Sequence, residues 1–139
     1  HWRIPMKHIM ITGTRQGLSD NQYKQVYNLL LDIYNNYDSF VVLHHGDCIG
    51  VDAEVNKIAR ALGYTTIAHP CDIREKRAFS ISDETLEPEK PLVRNRSMVD
   101  ASTFVIAAPA QNEEVLRSGT WSTIRYARKQ GKNVRILER

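Results

Sequence analysis

Apolar residues fall along this chain in two patterns: short unbroken runs, and longer stretches where they recur every three or four positions. Unbroken runs mark strands buried on both faces, and the wider spacing marks amphipathic helices. Lys7 to Thr12 is the first run, ended by Gly13-Thr14-Arg15 because glycine after β-branched residues punctuates a strand. Ser19-x-x-Gln22 then forms a capping-box pattern, followed at helical spacing by Tyr23, Val26, Tyr27, Leu30, Ile33, Tyr34 and Tyr37. Ser39 to Leu43 reads as a second strand broken by His44-His45-Gly46. Val51, Val55, Ile58, Ala59 and Leu62 form a second helical stripe that Gly63 stops.

Tyr64 to Ala68 reads as a third strand. The stretch from Cys71 to Pro91 is charged, holds Pro88 and Pro91 and lacks periodicity, so it is expected to be a long functional or mobile loop with one helical turn at most. Its Arg74, Lys76 and Arg77 are candidates to reach a phosphate from a lid. A helix over Leu92 to Asp100, a strand over Thr103 to Ala108, a helix from about Thr120 to Gln130 and a last strand over Asn133 to Leu137 follow. Strands alternating with helices predict an α/β fold: a Rossmann-like, doubly wound, mostly parallel sheet of about five strands flanked by helices. In such a sheet the ligand sits beyond the carboxyl ends of the strands, where strand order reverses.

Composition narrows the class without changing this picture. The 139 residues suit one domain over 7–139; the segment 1–5 is expected to be disordered or left over from expression, with Met6 as the natural start. Two cysteines, Cys48 and Cys71, are too few for a disulfide framework and favour a reducing, cytoplasmic setting. No apolar run is long enough to span a bilayer, so no membrane partner is expected. A net charge of +3 is too mild to mark a nucleic-acid binder. Much of it lies in Arg125, Arg128, Lys129, Lys132, Arg135 and Arg139, which read as a solvated face.

Three glycine segments fall at strand ends and so converge on one side of the sheet. Gly13, Thr14 and Arg15 offer a close backbone approach and a guanidinium fork suited to phosphate. His45, Gly46, Asp47, Gly50 and Asp52 form a loop before a helix. Ser118, Gly119 and Thr120 open the last helix, whose free N–H groups and dipole favour an anion. Arg94, Asn95 and Met98 belong to the helix between; as neighbours, Arg94 and Asn95 are not expected to share one helical face, and Met98 is also a core candidate. Arg96 reads as solvated. The tandem histidines cap the sheet or touch the ligand. His44, His45, Cys48, His69 and Cys71 do not have zinc-site spacing, so no metal or other cofactor is expected, and no serine or cysteine sits in a nucleophile elbow.

The segments GTR at Gly13 to Arg15, HGDCIGVD at His45 to Asp52, RNRSM at Arg94 to Met98, and TFVIAAP followed by Gly119-Thr120 together resemble the SLOG superfamily. That group includes the LOG cytokinin-activating phosphoribohydrolases, the DNA-processing protein A domain and nucleotide-sensing domains of bacterial defence. The resemblance spans Lys7 to Leu137, and is nearest to a small stand-alone branch. In the hydrolase branch a glutamate of the last glycine motif works with an arginine that Arg94 matches; Thr123 stands at the glutamate's position, and Leu116-Arg117-Ser118 replace the glycine pair. The resemblance therefore implies binding of a phosphorylated nucleotide-derived molecule rather than its hydrolysis, for sensing or for sequestration. By analogy, the latter includes phage-borne capture of defence signals. Two alternatives stay open: a nucleotide N-glycosidase, which needs a replacement carboxylate from Asp47, Asp52, Glu113 or Glu114, and single-stranded DNA binding, which needs a continuous basic groove. Assembly as a homodimer or higher oligomer is also implied, with the tyrosine-rich first helix offering a surface.

Overall fold

The computed structural model describes residues 6–139; the expectation for the first five residues lies outside them. Six strands form one parallel sheet: β1 (Lys7–Gly13), β2 (Val41–His45), β3 (Thr65–Ala68), β4 (Glu84–Thr85), β5 (Phe104–Ala108) and β6 (Asn133–Ile136). Four helices flank it: α1 (Asp20–Asn36), α2 (Val51–Leu62), α3 (Pro91–Ala101) and α4 (Gly119–Lys129). The spatial order β4-β3-β2-β1-β5-β6 reverses direction between β1 and β5, the arrangement of a doubly wound sheet.

Alternation along the buried strands assigns each helix a face. Ile9, Ile11, Leu43 and Ile106 meet Val26 and Leu30 of α1 and Val55 and Ile58 of α2. On the other face Met10 and Val105 meet Met98 and Val99 of α3 and Ala127 of α4, while Ala107 packs with Trp121 and Ile124. The capping box forms as expected, Ser19 Oγ accepting from Gln22 N at 3.1 Å and Gln22 Oε1 accepting from Ser19 N at 3.0 Å. Pro91 opens α3 at a position where its missing N–H has no cost.

Two expectations need correction. β2 starts later and runs through both histidines, because Asp38 and Ser39 take left-handed backbone at φ 49° and 72° and because the imidazoles find partners. His44 Nε2 pairs with His8 Nδ1 at 2.9 Å and its Nδ1 with His69 Nε2 at 2.8 Å; His45 Nε2 pairs with Ser82 Oγ at 2.8 Å. The segment from Cys71 to Pro91 is also tied to the sheet rather than loose. It holds a 3-10 turn at Arg74–Lys76 and the edge strand β4, and Ala78 N, Leu86 N and Glu89 N donate to Asp47 O, Ala68 O and Pro70 O. β4 is the sixth strand, invisible in sequence because its two residues are both exposed.

Candidate functional site

The carboxyl end of β1, the loop after β5 and the amino ends of α3 and α4 enclose a cleft of about 440 Å³ at the point where strand order reverses. Volumes of this size accommodate a small molecule. Thr12 and Gly13-Thr14-Arg15 form one wall, Ser118-Gly119-Thr120 with Ala110 another, and Arg94, Asn95 and Met98 the floor, with Asp52, Cys48 and Lys76 at the side.

The anion-attracting groups are local consequences of the fold. Ser118 caps α4, its Oγ accepting from Trp121 N at 3.2 Å. The N–H groups of Gly119 and Thr120 then have no partner among the described residues, and both residues line the cleft. A Cβ at Gly119 would meet nothing within 4 Å, so this glycine faces open space. Arg94 is 6% exposed and forms no ion pair among the described residues. Its Nη1 donates to Gly46 O at 2.6 Å and His69 O at 3.0 Å, and its Nε to Asn95 Oδ1 at 2.7 Å. Among the described residues Nη2 reaches only the Cys48 sulfur, at 3.6 Å. The guanidinium is thus hydrogen-bonded to neutral acceptors, and the Asp52 carboxyl lies near enough to feel its charge without pairing with it. Arg94 and Asn95 both line the cleft despite being neighbours.

Asp52 is the carboxylate on this lining. Its Oδ2 accepts from Gly46 N at 2.9 Å and Cys48 N at 3.3 Å, while no hydrogen bond from the described residues reaches Oδ1. Burial raises its pKa to about 6, against the lowering pull of Arg94 and the two amides. Burial likewise pushes the Cys48 thiol to about 12, leaving it protonated and a poor nucleophile.

Four candidates stand elsewhere. Asp47 is buried away from the cleft, its Oδ2 paired with Arg77 Nε at 3.1 Å and its Oδ1 accepting from Ser80 N at 2.8 Å. It takes φ 53°, a conformation that aspartate tolerates, and pins the segment after β3. His45 accepts from Asp47 N through Nδ1 at 2.9 Å and braces the same loop. Gly50 has φ 98°, and a Cβ there would lie 2.5 Å from Arg15 O, so the glycine lets α2 abut the β1 loop. Gly46 is needed because a Cβ would meet Arg94 Nη1 at 2.7 Å. Of the three cations proposed to reach a phosphate from the segment after β3, Lys76 lines the cleft, Arg77 is spent on Asp47 and Arg74 lies 4.9 Å from the Phe79 ring centre. Sequence reasoning missed Thr12, Gln16, Cys48, Pro91, Leu92 and Ala110 on the lining, all inside or beside motifs it had singled out. Thr123, at the hydrolase glutamate's position, is buried and donates its hydroxyl to Gly119 O at 3.0 Å.

Among the described residues no histidine, cysteine and carboxylate cluster has the makings of a metal site, and no helix is long and apolar enough to cross a membrane. No protein-family model and no curated protein matches the chain. Solved structures do. A molybdenum cofactor binding protein from Rippkaea orientalis superimposes with a TM-score of 0.74 at 21% identity, covering 99% of this chain and 79% of that one. The molybdenum cofactor carrier protein of Chlamydomonas reinhardtii gives 0.68 at 20% identity, over 94% of this chain and 76% of that one. DNA processing protein A from Streptococcus pneumoniae gives 0.69 at 19% identity, over 94% of this chain and 50% of that one. At about 20% identity, the chain therefore shares with these proteins a mostly parallel, Rossmann-like α/β fold.

Proposed function

We propose that the cleft binds a phosphorylated nucleotide or a small molecule derived from one. The observation that carries this reading is the meeting, at the reversal point of the sheet, of two unpartnered α4 amides with the buried Arg94 guanidinium, which forms no ion pair among the described residues. A phosphate between them receives charge-assisted hydrogen bonds, each contributing about 1.5–3 kcal/mol. Arg15 at the rim and Lys76 at the side add to the attraction, and the free oxygen of Asp52 accepts from a ligand hydroxyl or amino group. Neighbours of the same fold described as binding or carrying the molybdenum cofactor support a small-molecule role over a scaffolding one. Sensing or sequestration is the biological role that fits a site without an evident catalytic set.

A second reading, cleavage of a base–ribose bond, is favoured by one feature: a cleft carboxyl raised to about 6, in the range useful for proton transfer. Native mass spectrometry of the purified protein, followed by calorimetry with adenosine monophosphate and the molybdenum cofactor, tests both. Nucleotide binding without release of free adenine is expected. Adenine release would establish the second reading, and binding of the molybdenum cofactor with no response to nucleotides would overturn both.

A further inference from the structure

A second hollow, of about 260 Å³, runs between α3 and α4 and shares Leu92 and Asn95 with the cleft. Its charged lining is of one sign: Arg96, Arg125 and Lys129. Arg125 is committed, its guanidinium donating to Glu114 Oε2 at 2.9 Å and Leu116 O at 3.0 Å. Arg96 and Lys129 form no ion pair among the described residues. Arg96 lies 5.3 Å from the centre of the Tyr126 ring, and that ring is held in place by the Tyr126 hydroxyl donating to Asp100 Oδ1 at 2.9 Å.

Lys129 suits the last turn of α4 for reasons of the helix dipole alone, but Arg96 sits in the middle of α3, where no such reason applies. Along the α4 axis, Arg125 and Lys129 lie about 9 and 15 Å from Gly119 at 1.5 Å per residue. Arg125 and Lys129 are thus set well apart from the anion end of the cleft, and Leu92 and Asn95 line both hollows.

We propose that this hollow is a second anion subsite, and that the ligand carries two phosphate groups separated by at least one nucleoside, as in a linear dinucleotide. One phosphate sits at Gly119, Thr120 and Arg94; the nucleoside passes Leu92 and Asn95; the other phosphate lies between Arg96 and Lys129. The proposal rests on the nucleotide reading of the cleft and specifies the length and charge spacing of its ligand.

Calorimetry with three probes tests it: adenosine monophosphate, adenosine diphosphate, whose two phosphates are adjacent, and the linear 5′-phosphorylated diadenylate, whose two phosphates are separated. The diadenylate is expected to bind about tenfold tighter than adenosine diphosphate, the effect of one charge-assisted contact. That advantage is expected to vanish in the Arg96→Ala/Lys129→Ala double variant. It is expected to persist in Arg128→Ala, which removes a cation of the same helix outside the hollow. Equal affinities for the diadenylate and adenosine diphosphate would overturn the second subsite while leaving the cleft reading intact. Failure of all three probes would remove the cleft reading. Affinity that keeps rising with an oligoadenylate of about a dozen residues would replace both with a strand-binding groove.

Discussion

Arg94 is both the centre of the candidate site and a clamp in the scaffold, and replacing it with alanine separates the two roles. The substitution removes hydrogen bonds at 2.6, 3.0 and 2.7 Å to Gly46 O, His69 O and Asn95 Oδ1, and the 3.6 Å contact with Cys48 Sγ. Asn95 is partly exposed and water replaces the lost donor there. The other two acceptors belong to buried residues: Gly46 O keeps only the Cys48 thiol at 3.6 Å, and His69 O keeps no partner among the described residues. A buried carbonyl left unpaired costs about 1–3 kcal/mol, so the two together, with the void, cost about 3–5 kcal/mol. Loss of the positive charge also lets the Asp52 carboxyl titrate above its present value of about 6, since Arg94 is what draws it down. Urea unfolding followed by circular dichroism reads the result. With a slope of about 2 kcal/mol per molar urea, the midpoint is expected to fall by about 1.5–2.5 M. Arg94→Lys, which keeps the charge and reaches one carbonyl, is expected to lose about half as much. A fall in Arg94→Ala of less than about 0.5 M would refute the clamp, and would make that variant a clean probe of ligand binding.

Three further outcomes are expected. Burial lowers the pKa of His45 and His69 to about 4 and of His44 to about 3, below the unfolded 6.5, so their contribution is full above that value and is lost as pH falls toward 4. His45 alone accounts for about 3 kcal/mol over that window; Asp52, raised, acts in the opposite sense, and three histidines against one carboxyl decide the sign. Urea midpoints measured between about pH 5 and pH 7 are expected to rise steeply, and a flat profile would show the buried histidines to be irrelevant to acid unfolding. Asp52→Asn keeps an acceptor for Gly46 N and Cys48 N while removing a buried charge, so neutral-pH stability is expected to hold within about 1 kcal/mol while nucleotide affinity drops; a larger loss of stability contradicts this account. Gly50→Ala forces a Cβ to within 2.5 Å of Arg15 O at φ 98°, and is expected to cost about 2–4 kcal/mol in the same unfolding assay, whereas a neutral effect would mean the β1 loop yields freely.

The strands and helices were legible because their burial is written as period: the runs at Lys7, Thr103 and Asn133 and the stripes of α1 and α2 all appear where their spacing put them. β4 was not, since a two-residue exposed edge strand has no apolar signature. The end of β2 was misplaced because buried histidines look like a strand boundary until one knows that His8 and His69 lie beside His44, and side-chain partners distant in sequence are not visible in a local pattern. In the HGDCIGVD loop, several residues expected to face a ligand instead serve the scaffold. Gly46 and Gly50 make room for Arg94 and for the β1 loop, and Asp47 anchors Arg77; of the loop's expected ligand-facing residues, Asp52 lines the cleft. Glycine permits close approach without saying whether the visitor is ligand or protein. Exposure separates the cases: Gly119 faces open space, whereas Gly13 is filled by Val51.

The same accounting narrows the enzymatic alternative. Of the four carboxylates that might stand in for the missing glutamate, Asp47 is buried against Arg77, and Glu113 and Glu114 are exposed outside the cleft lining, with Glu114 spent on Arg125. That leaves Asp52, whose fixed oxygen is bound by two amides and whose free oxygen is the only part able to meet a ligand. An oxocarbenium-like transition state is stabilised by an ionised carboxylate close to the anomeric carbon, and here the same side chain sits beside the Arg94 charge, which would oppose a developing cation. A single acidic group beside a buried guanidinium is therefore better matched to holding an anion with an adjoining hydroxyl than to building positive charge on a sugar, which is why we place binding ahead of cleavage for this cleft.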